Sequence, residues 1–211
     1  TVLSTIVVFY KDIWKLLRGL FRFREFGPDG KPKGINPETR YILMILVSMV
    51  PVLLVGVFMK ERVESAFTGN LILVGSMLLV TASLLTFSHY SKNHGKPMTF
   101  AHAFVIGIAQ AFAVLPGISR SGATISTGLL LGKERAETAR FSFLMVLVPI
   151  IGANMLDLLS ADVSQAPGIG AMPLAVGFVS AFVAGLLACK WMIKLVNQGK
   201  LVYFAIYCVA I

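Results

Sequence analysis

Long uncharged runs, separated by short charged segments, set the pattern of this chain. Tyr41 to Met59 is 19 residues without a charge, Leu71 to Ser88 is 18, and Phe100 to Ser119 is 20 with His102 as its only ionisable group. Phe141 to Leu156 adds 16, and Val163 to Cys189 adds 27, whose first part reads as loop at Pro167 and Gly168. At about 1.5 Å per helical residue, runs of this length cover about 27–30 Å, the thickness of a bilayer's hydrocarbon core. The pattern predicts an all-α, polytopic membrane bundle. Thr1 to Tyr10 reads as the tail of a helix already under way, and Leu201 to Ile211, with 11 residues, is too short to span. With no initiator methionine and no signal peptide, we expect a chain trimmed at both ends, heavily at the first.

The charged segments give the orientation. Glu25 to Gly34 is rich in glycine and proline and predicts a loop. Before it, Lys11 to Arg24 alternates basic and apolar residues, with Ile13, Trp14, Leu17, Leu20 and Phe21 on one helical face, as in an amphipathic helix at a membrane surface. Segment 11–40 holds eight Lys and Arg, 60–70 two offset by Glu61 and Glu64, 89–98 two, 132–140 three, 157–170 none, and 190–200 three. The positive-inside rule places 11–40, 89–98, 132–140 and 190–200 in the cytoplasm, and 60–70 and 157–170 outside. Segments 89–98 and 132–140 then share a side, yet only about 30 residues separate them, where two crossings need about 40. A re-entrant helix–loop–helix over about 100–131, broken at Pro116-Gly117, resolves the parity. Irregular backbone at membrane depth survives only when buried in protein or lining a wet cavity. The alternative is one helix kinked at Pro116.

Composition agrees. Hydrophobic residues make up 56% of the 211 and charged residues 14%, well below the roughly 25% of a soluble domain. The net charge of +9 borders apolar segments rather than forming a basic face with exposed aromatics, so a nucleic-acid partner is excluded. Cys189 and Cys208 lie in apolar runs without metal-ligand spacing.

The break carries the candidate chemistry. Arg120 stands in an otherwise apolar stretch, where insertion costs about 2.5–3.5 kcal/mol, so it needs a partner or a task. Ser119, Ser121 and Thr124 are hydroxyl neighbours, and Gly117 and Gly122 permit close backbone approach. A second half-helix starting near Ser121 would aim free N–H groups and its positive dipole end at the break. A guanidinium adds a planar fork for phosphate oxygens. Together these predict a phosphate-like anion on a lipid. The spacing is not that of a nucleotide-binding loop. The plainer alternative is that Arg120 pairs with a carboxylate and ties helices together.

Pro116-Gly117-Ile118-Ser119-Arg120-Ser121-Gly122-Ala123-Thr124-Ile125-Ser126 matches P-G-x-S-R-S-G-A-T, and the chain thereby resembles the undecaprenyl-diphosphate phosphatases of the bacitracin-resistance family. Phe141-Ser142-Phe143-Leu144, Pro149, Gly152-Ala153 and Leu156-Asp157-Leu158 look like the same family. The resemblance implies hydrolysis of undecaprenyl diphosphate to undecaprenyl phosphate, recycling the carrier lipid for cell-wall synthesis and conferring bacitracin resistance. It implies a bacterial inner-membrane protein with a pocket open to the periplasm. It also implies inverted-topology repeats, the rest of the first over 1–98 and the second over 99–211. By resemblance Arg120, Ser119 and Thr124 are catalytic, and Gly117, Ser121, Gly122 and Ser126 bind substrate. A second family signature, E-G-x-T-E-F-x-P-V-S-S-T-G-H, is absent from this chain. Its glutamates are associated with a divalent metal, Mg or Ca, so no metal ligand is assigned here. Residues 1–211 alone are therefore expected to lack activity.

Other residues receive plainer readings. His102 lacks an adjacent acid and lies near the cytoplasmic edge, and His89 and His94 read as solvated. Asp157 and Asp162 read as topology or capping residues. Asn154 reads as a helix–helix hydrogen bond. Gly177, Ala181 and Gly185 form a small-residue stripe that suits internal packing or a homodimer. A polyprenyl-phosphate flippase with inverted repeats and broken helices is the alternative function. A purely structural scaffold leaves a buried arginine among hydroxyls without a reason.

Overall fold

The computed structural model describes residues 2–20, 24–26, 32–58, 71–91, 95, 97–160 and 171–211. In chain order the elements are α1 (Val2–Val8), α2 (Tyr10–Leu20), β1 (Arg24–Phe26), β2 (Pro32–Ile35), α3 (Pro37–Phe58), α4 (Leu71–Tyr90), α5 (Phe100–Phe112), α6 (Arg120–Leu130), α7 (Arg135–Ser160), α8 (Ala171–Asn197) and α9 (Val202–Ala210). The helical membrane architecture stands as the hydrophobic runs predict. Among the described residues three helices, Pro37–Phe58, Leu71–Tyr90 and Met172–Asn197, are long and apolar enough to cross a membrane. Their outer faces leave large apolar side chains uncovered, Leu53, Val57, Leu71, Ile72 and Met172 among them. Water does not tolerate such a surface, but lipid does.

Two expectations need correction here. Glu25 to Gly34 is not wholly loop: its flanks pair as a two-stranded antiparallel ribbon, with a register irregularity between Glu25 and Phe26. Pro32 takes the first position of β2, where its missing N–H costs least. The amphipathic helix does not reach Arg24 either: it is described over Tyr10–Leu20, and Arg24 belongs to β1. Within it Ile13 and Leu16 pack on the core, while Trp14 and Leu17 face outward and Arg18 stacks 5.3 Å from the Trp14 ring.

The core has two parts. One joins Phe9, Met44, Ile45, Met49, Ile106 and Phe141, and packs α5 on α3 so closely that a Cβ on Gly107 would meet the Ser48 carbonyl. The other joins Leu85, Ile125, Leu129, Val196 and Leu201, and holds α6 between α4 and the end of the chain.

Contacts between the basic segments agree with their charge-based grouping. Lys133 Nζ donates to the Pro97 carbonyl at 2.7 Å, and His89 Nδ1–H to the Gly199 carbonyl at 2.8 Å. Arg140 pairs with Asp12 at 3.4 Å, and a Cβ on Gly199 would strike the Arg135 guanidinium. The described parts of segments 11–40, 89–98, 132–140 and 190–200 thus gather at one end of the bundle. The helices α6 and α8 both stop there on a Gly-Lys pair. Gly132 (φ 75°) and Gly199 (φ 71°) turn left-handed, and the next residues, Lys133 and Lys200, donate back to Gly128 and Leu195 at 3.1 and 3.0 Å, which satisfies carbonyls that a helix end otherwise orphans.

His89 is accordingly half-buried and bonded rather than solvated. Its ring lies beside the left-handed turn at Gly199, which presents a carbonyl. His94, Asp162 and the 60–70 loop lie outside the described residues. Asn154 does not bridge helices either: its Nδ2 donates to Ile150 O of its own helix at 2.7 Å, and the side chain is exposed. At Gly177 the small-residue stripe meets nothing within 4 Å among the described residues. Cys189 and Cys208 are free thiols.

Candidate functional site

Two half-length helices meet at the break. At about 1.5 Å per residue, the 13 residues of α5 and the 11 of α6 reach only about 20 and 17 Å, short of the hydrocarbon thickness. They pack on each other, and Lys133 and Pro97 bring their outer ends together. The chain therefore enters and returns on one side, as the parity of the loops predicts, and a single kinked helix is ruled out. Thr99 caps α5, its Oγ1 accepting from His102 N at 3.4 Å and sitting 2.7 Å from His102 Nδ1. His102 thus serves the foot of the hairpin, far from its tip.

The tip lies against α4, which acts as a depth gauge. The Ser119 N–H donates to Thr81 Oγ1 at 3.2 Å, and the Thr81 hydroxyl donates to Met77 O at 3.0 Å. Thr81 is fully buried and sits near the middle of the 20-residue helix Leu71–Tyr90. The break thus stands close to mid-span. Gly117 has φ +94°, and a Cβ there would lie 2.5 Å from Val74 O and 2.9 Å from Met77 Cβ. Only glycine combines this dihedral with this approach.

Ser119 caps α6: its φ and ψ are −72° and 115°, and its Oγ accepts from Gly122 N at 3.1 Å, the usual device for a free N-terminal donor. Ala123 N donates to Ser119 O at 2.8 Å. The N–H groups of Arg120 and Ser121 have no acceptor among the described residues. Gly122 packs tightly, with a hypothetical Cβ 3.0 Å from Ser119 Oγ.

Arg120 itself departs from expectation. It is exposed rather than buried, and its guanidinium has no ion pair or hydrogen bond among the described residues. Among the described residues no carboxylate pairs with it, as a tie between helices would require. The segment 100–131 contains no Asp or Glu, and the charge sits at the head of α6, on the positive end of the helix dipole.

The remaining sequence-nominated residues divide by direction. Ser119 and Ser121 are half-buried at the mouth with Arg120. Thr124 is fully buried, and its hydroxyl donates to Arg120 O at 2.8 Å and to Ser121 O at 3.3 Å. Ser126 is fully buried and donates to Ser88 Oγ at 3.2 Å, which donates on to Leu85 O at 2.8 Å. Three residues escaped the sequence reading. Thr81 is one of five hydroxyl residues in the run Leu71 to Ser88 and nothing in the sequence singles it out. Gln110 is buried near the end of α5 with its Oε1 unpartnered among the described residues; an amide within an apolar run is the signal that could have found it. Lys133 is fully buried, although by sequence it counts as an ordinary loop cation.

Among the described residues no group of three His, Cys, Asp or Glu could hold a metal ion. The break supplies cation and N–H donors, a set that suits an anion and does not fit a divalent metal.

A family model described as bacitracin resistance protein BacA matches residues 1–211. A protein of Parabacteroides distasonis named undecaprenyl-diphosphatase is 52% identical over 211 residues, covering 99% of this chain and 76% of its own length. Proteins of the same name from Christiangramia forsetii and Korarchaeum cryptofilum are 48% and 36% identical, over 99% and 100% of this chain and 75% and 78% of theirs.

Proposed function

Because the chain belongs to the bacitracin resistance protein BacA family, we propose that it is a membrane hydrolase converting undecaprenyl diphosphate to undecaprenyl phosphate and inorganic phosphate. Relatives that bear the name undecaprenyl-diphosphatase at about half identity over nearly the whole chain support this reading, and none favours the transporter. At residue level one observation carries it: near mid-span, a guanidinium and two N–H groups stand together without a partner among the described residues.

The roles follow from that geometry. Arg120 clamps the diphosphate, and the Arg120 and Ser121 N–H groups donate to the same oxygens. Ser119 keeps a hydroxyl hydrogen to donate, because its oxygen is what caps Gly122. Ser121 borders the anion, and Gly117 and Gly122 let the backbone approach it. Thr124 and Ser126 act as positioning residues: one fixes the first turn of α6, the other anchors the helix to α4. When water adds to phosphorus and the bridging P–O bond breaks, charge builds on the departing oxygens. A fixed cation stabilises that charge more than it stabilises the ground state. A divalent ion, Mg or Ca, remains part of the proposal, but no ligand for it is assigned in this chain and no step is routed through it. The setting we propose is the bacterial inner membrane with the pocket open to the periplasm, where released carrier lipid returns to peptidoglycan synthesis.

The test is phosphate release from undecaprenyl diphosphate in proteoliposomes by the protein as expressed from its gene. Release that disappears in Arg120→Ala supports the proposal. Lipid flux without phosphate release sinks it.

A further inference from the structure

A second feature lies away from the break. Between α2, α3 and α7, at the end where the basic segments gather, two hollows adjoin and share Leu16 and Leu144. One, of about 180 Å³, is lined by Asp12, Lys15, Glu38, Tyr41 and Arg140. The other, of about 330 Å³, is lined only by aliphatic side chains, including Ile6, Ile45, Leu147 and Val148. We propose that this pair of hollows binds one membrane phospholipid with a zwitterionic, primary-amine headgroup, its head in the charged hollow and an acyl segment in the apolar one.

Three observations point to that occupant. First, the polarity changes from charged to wholly aliphatic across the shared residues, as it does along a lipid. The aliphatic hollow opens outward past Leu17, Leu46 and Val148, which are exposed, so a chain can slide in from the bilayer. Second, the charged hollow carries two carboxylates and two cations. Asp12 and Arg140 pair with each other at 3.4 Å. The side chains of Lys15 and Glu38 have no hydrogen-bond or ion-pair partner among the described residues, which leaves one cation for a phosphate and one carboxylate for an ammonium. A purely anionic headgroup would face Glu38 uncompensated. Third, the Tyr41 hydroxyl is buried at this hollow with no hydrogen-bond partner among the described residues. Orphaned buried donors are rare because they are costly, and a phosphate oxygen is the acceptor this one lacks. The amphipathic helix α2 supplies one wall, with Asp12, Lys15 and Leu16.

The site involves neither Arg120 nor the hairpin tip, so it stands or falls apart from the phosphatase reading. Native mass spectrometry of the delipidated protein tests it, with phosphatidylethanolamine, phosphatidylcholine and phosphatidylglycerol of identical acyl chains added in turn. We expect one phosphatidylethanolamine retained about tenfold more than either of the others, the worth of roughly one charge-assisted hydrogen bond. Glu38→Gln should abolish that preference, and Tyr41→Phe and Lys15→Gln should weaken retention of every phospholipid. Val148→Trp should block retention by filling the aliphatic hollow, whereas Val148→Ala should keep it. Equal retention of the three lipids, no retained lipid, or retention indifferent to Val148→Trp and Glu38→Gln overturns the proposal.

Discussion

The ammonium of Lys133 donates to the carbonyl of Pro97 at 2.7 Å and so clasps the chain just before α5 to the chain just after α6. The lysine is fully buried, which is costly for a charge unless it is hydrogen-bonded. The clasp holds both ends of the hairpin at one level.

Lys133→Met keeps the unbranched stem and removes the charge. Losing a hydrogen bond to a charged group should cost about 1.5–3 kcal/mol. Thermal unfolding in detergent measures this, and an unchanged midpoint would show the clasp to be idle.

Much of this arrangement was legible in the sequence. The parity of Lys and Arg between 89–98 and 132–140 implied a hairpin, and Arg120 among glycines and hydroxyls marked its tip. What stayed hidden depends on direction. A positive-inside count treats Lys133 like any loop lysine, since it cannot tell a solvated ammonium from a clasped one. Thr124 shares the Arg120 face by helical spacing, yet its hydroxyl turns onto the carbonyl four residues back, a habit of threonine that periodicity does not reveal. Thr81 was silent because its role depends on an element 38 residues away.

Arg120 has no partner to lose within the described residues, so its replacement should leave the fold intact. Arg120→Ala should lower turnover by about 10²–10³, the usual cost of removing one preorganised charge-stabilising group, with stability changed by no more than about 0.5 kcal/mol. Arg120→Lys keeps the charge but loses the fork, and should restore only part of the rate. Steady-state phosphate release beside a melting curve separates the two effects.

Gly117→Ala should destabilise by more than about 1–3 kcal/mol, because φ is +94° and the new methyl would meet Val74 O. Gly56→Ala is the control. Gly56 lies inside α3 with nothing within 4 Å of a Cβ, and the change there should stabilise by about 0.4–1 kcal/mol. Equal melting temperatures for the two variants would contradict the close approach at the break.

Thr124→Ser retains the hydroxyl that binds the carbonyls of Arg120 and Ser121, and Thr124→Val removes it at constant shape. We expect Val to lower kcat with little change in KM, and Ser to recover most of the loss. That split would identify a residue that steadies the first turn. A rise in KM alone would instead indicate direct contact with substrate.

The gathered basic segments should report from one side of the bilayer. With Cys189 and Cys208 replaced by serine, single cysteines at Lys11, Glu134 and Lys200, all exposed, should react with an impermeant maleimide from the same face. A cysteine at Leu71, at the far end of α4, should react from the other. Glu134 labelling from the side of Leu71 would mean that the segment 100–131 crosses fully.

The half-length of α5 and α6 also constrains how the molecule is made. Neither folded helix is long enough to cross the bilayer by itself, and the backbone of the break cannot face lipid with its N–H and C=O groups unmet. Thr81 supplies one of the acceptors the break needs. The hairpin therefore reaches its native depth as a pair, and only against α4. Assembly is thus ordered by the chain itself, with the tip of the hairpin settling only where α4 is there to receive it.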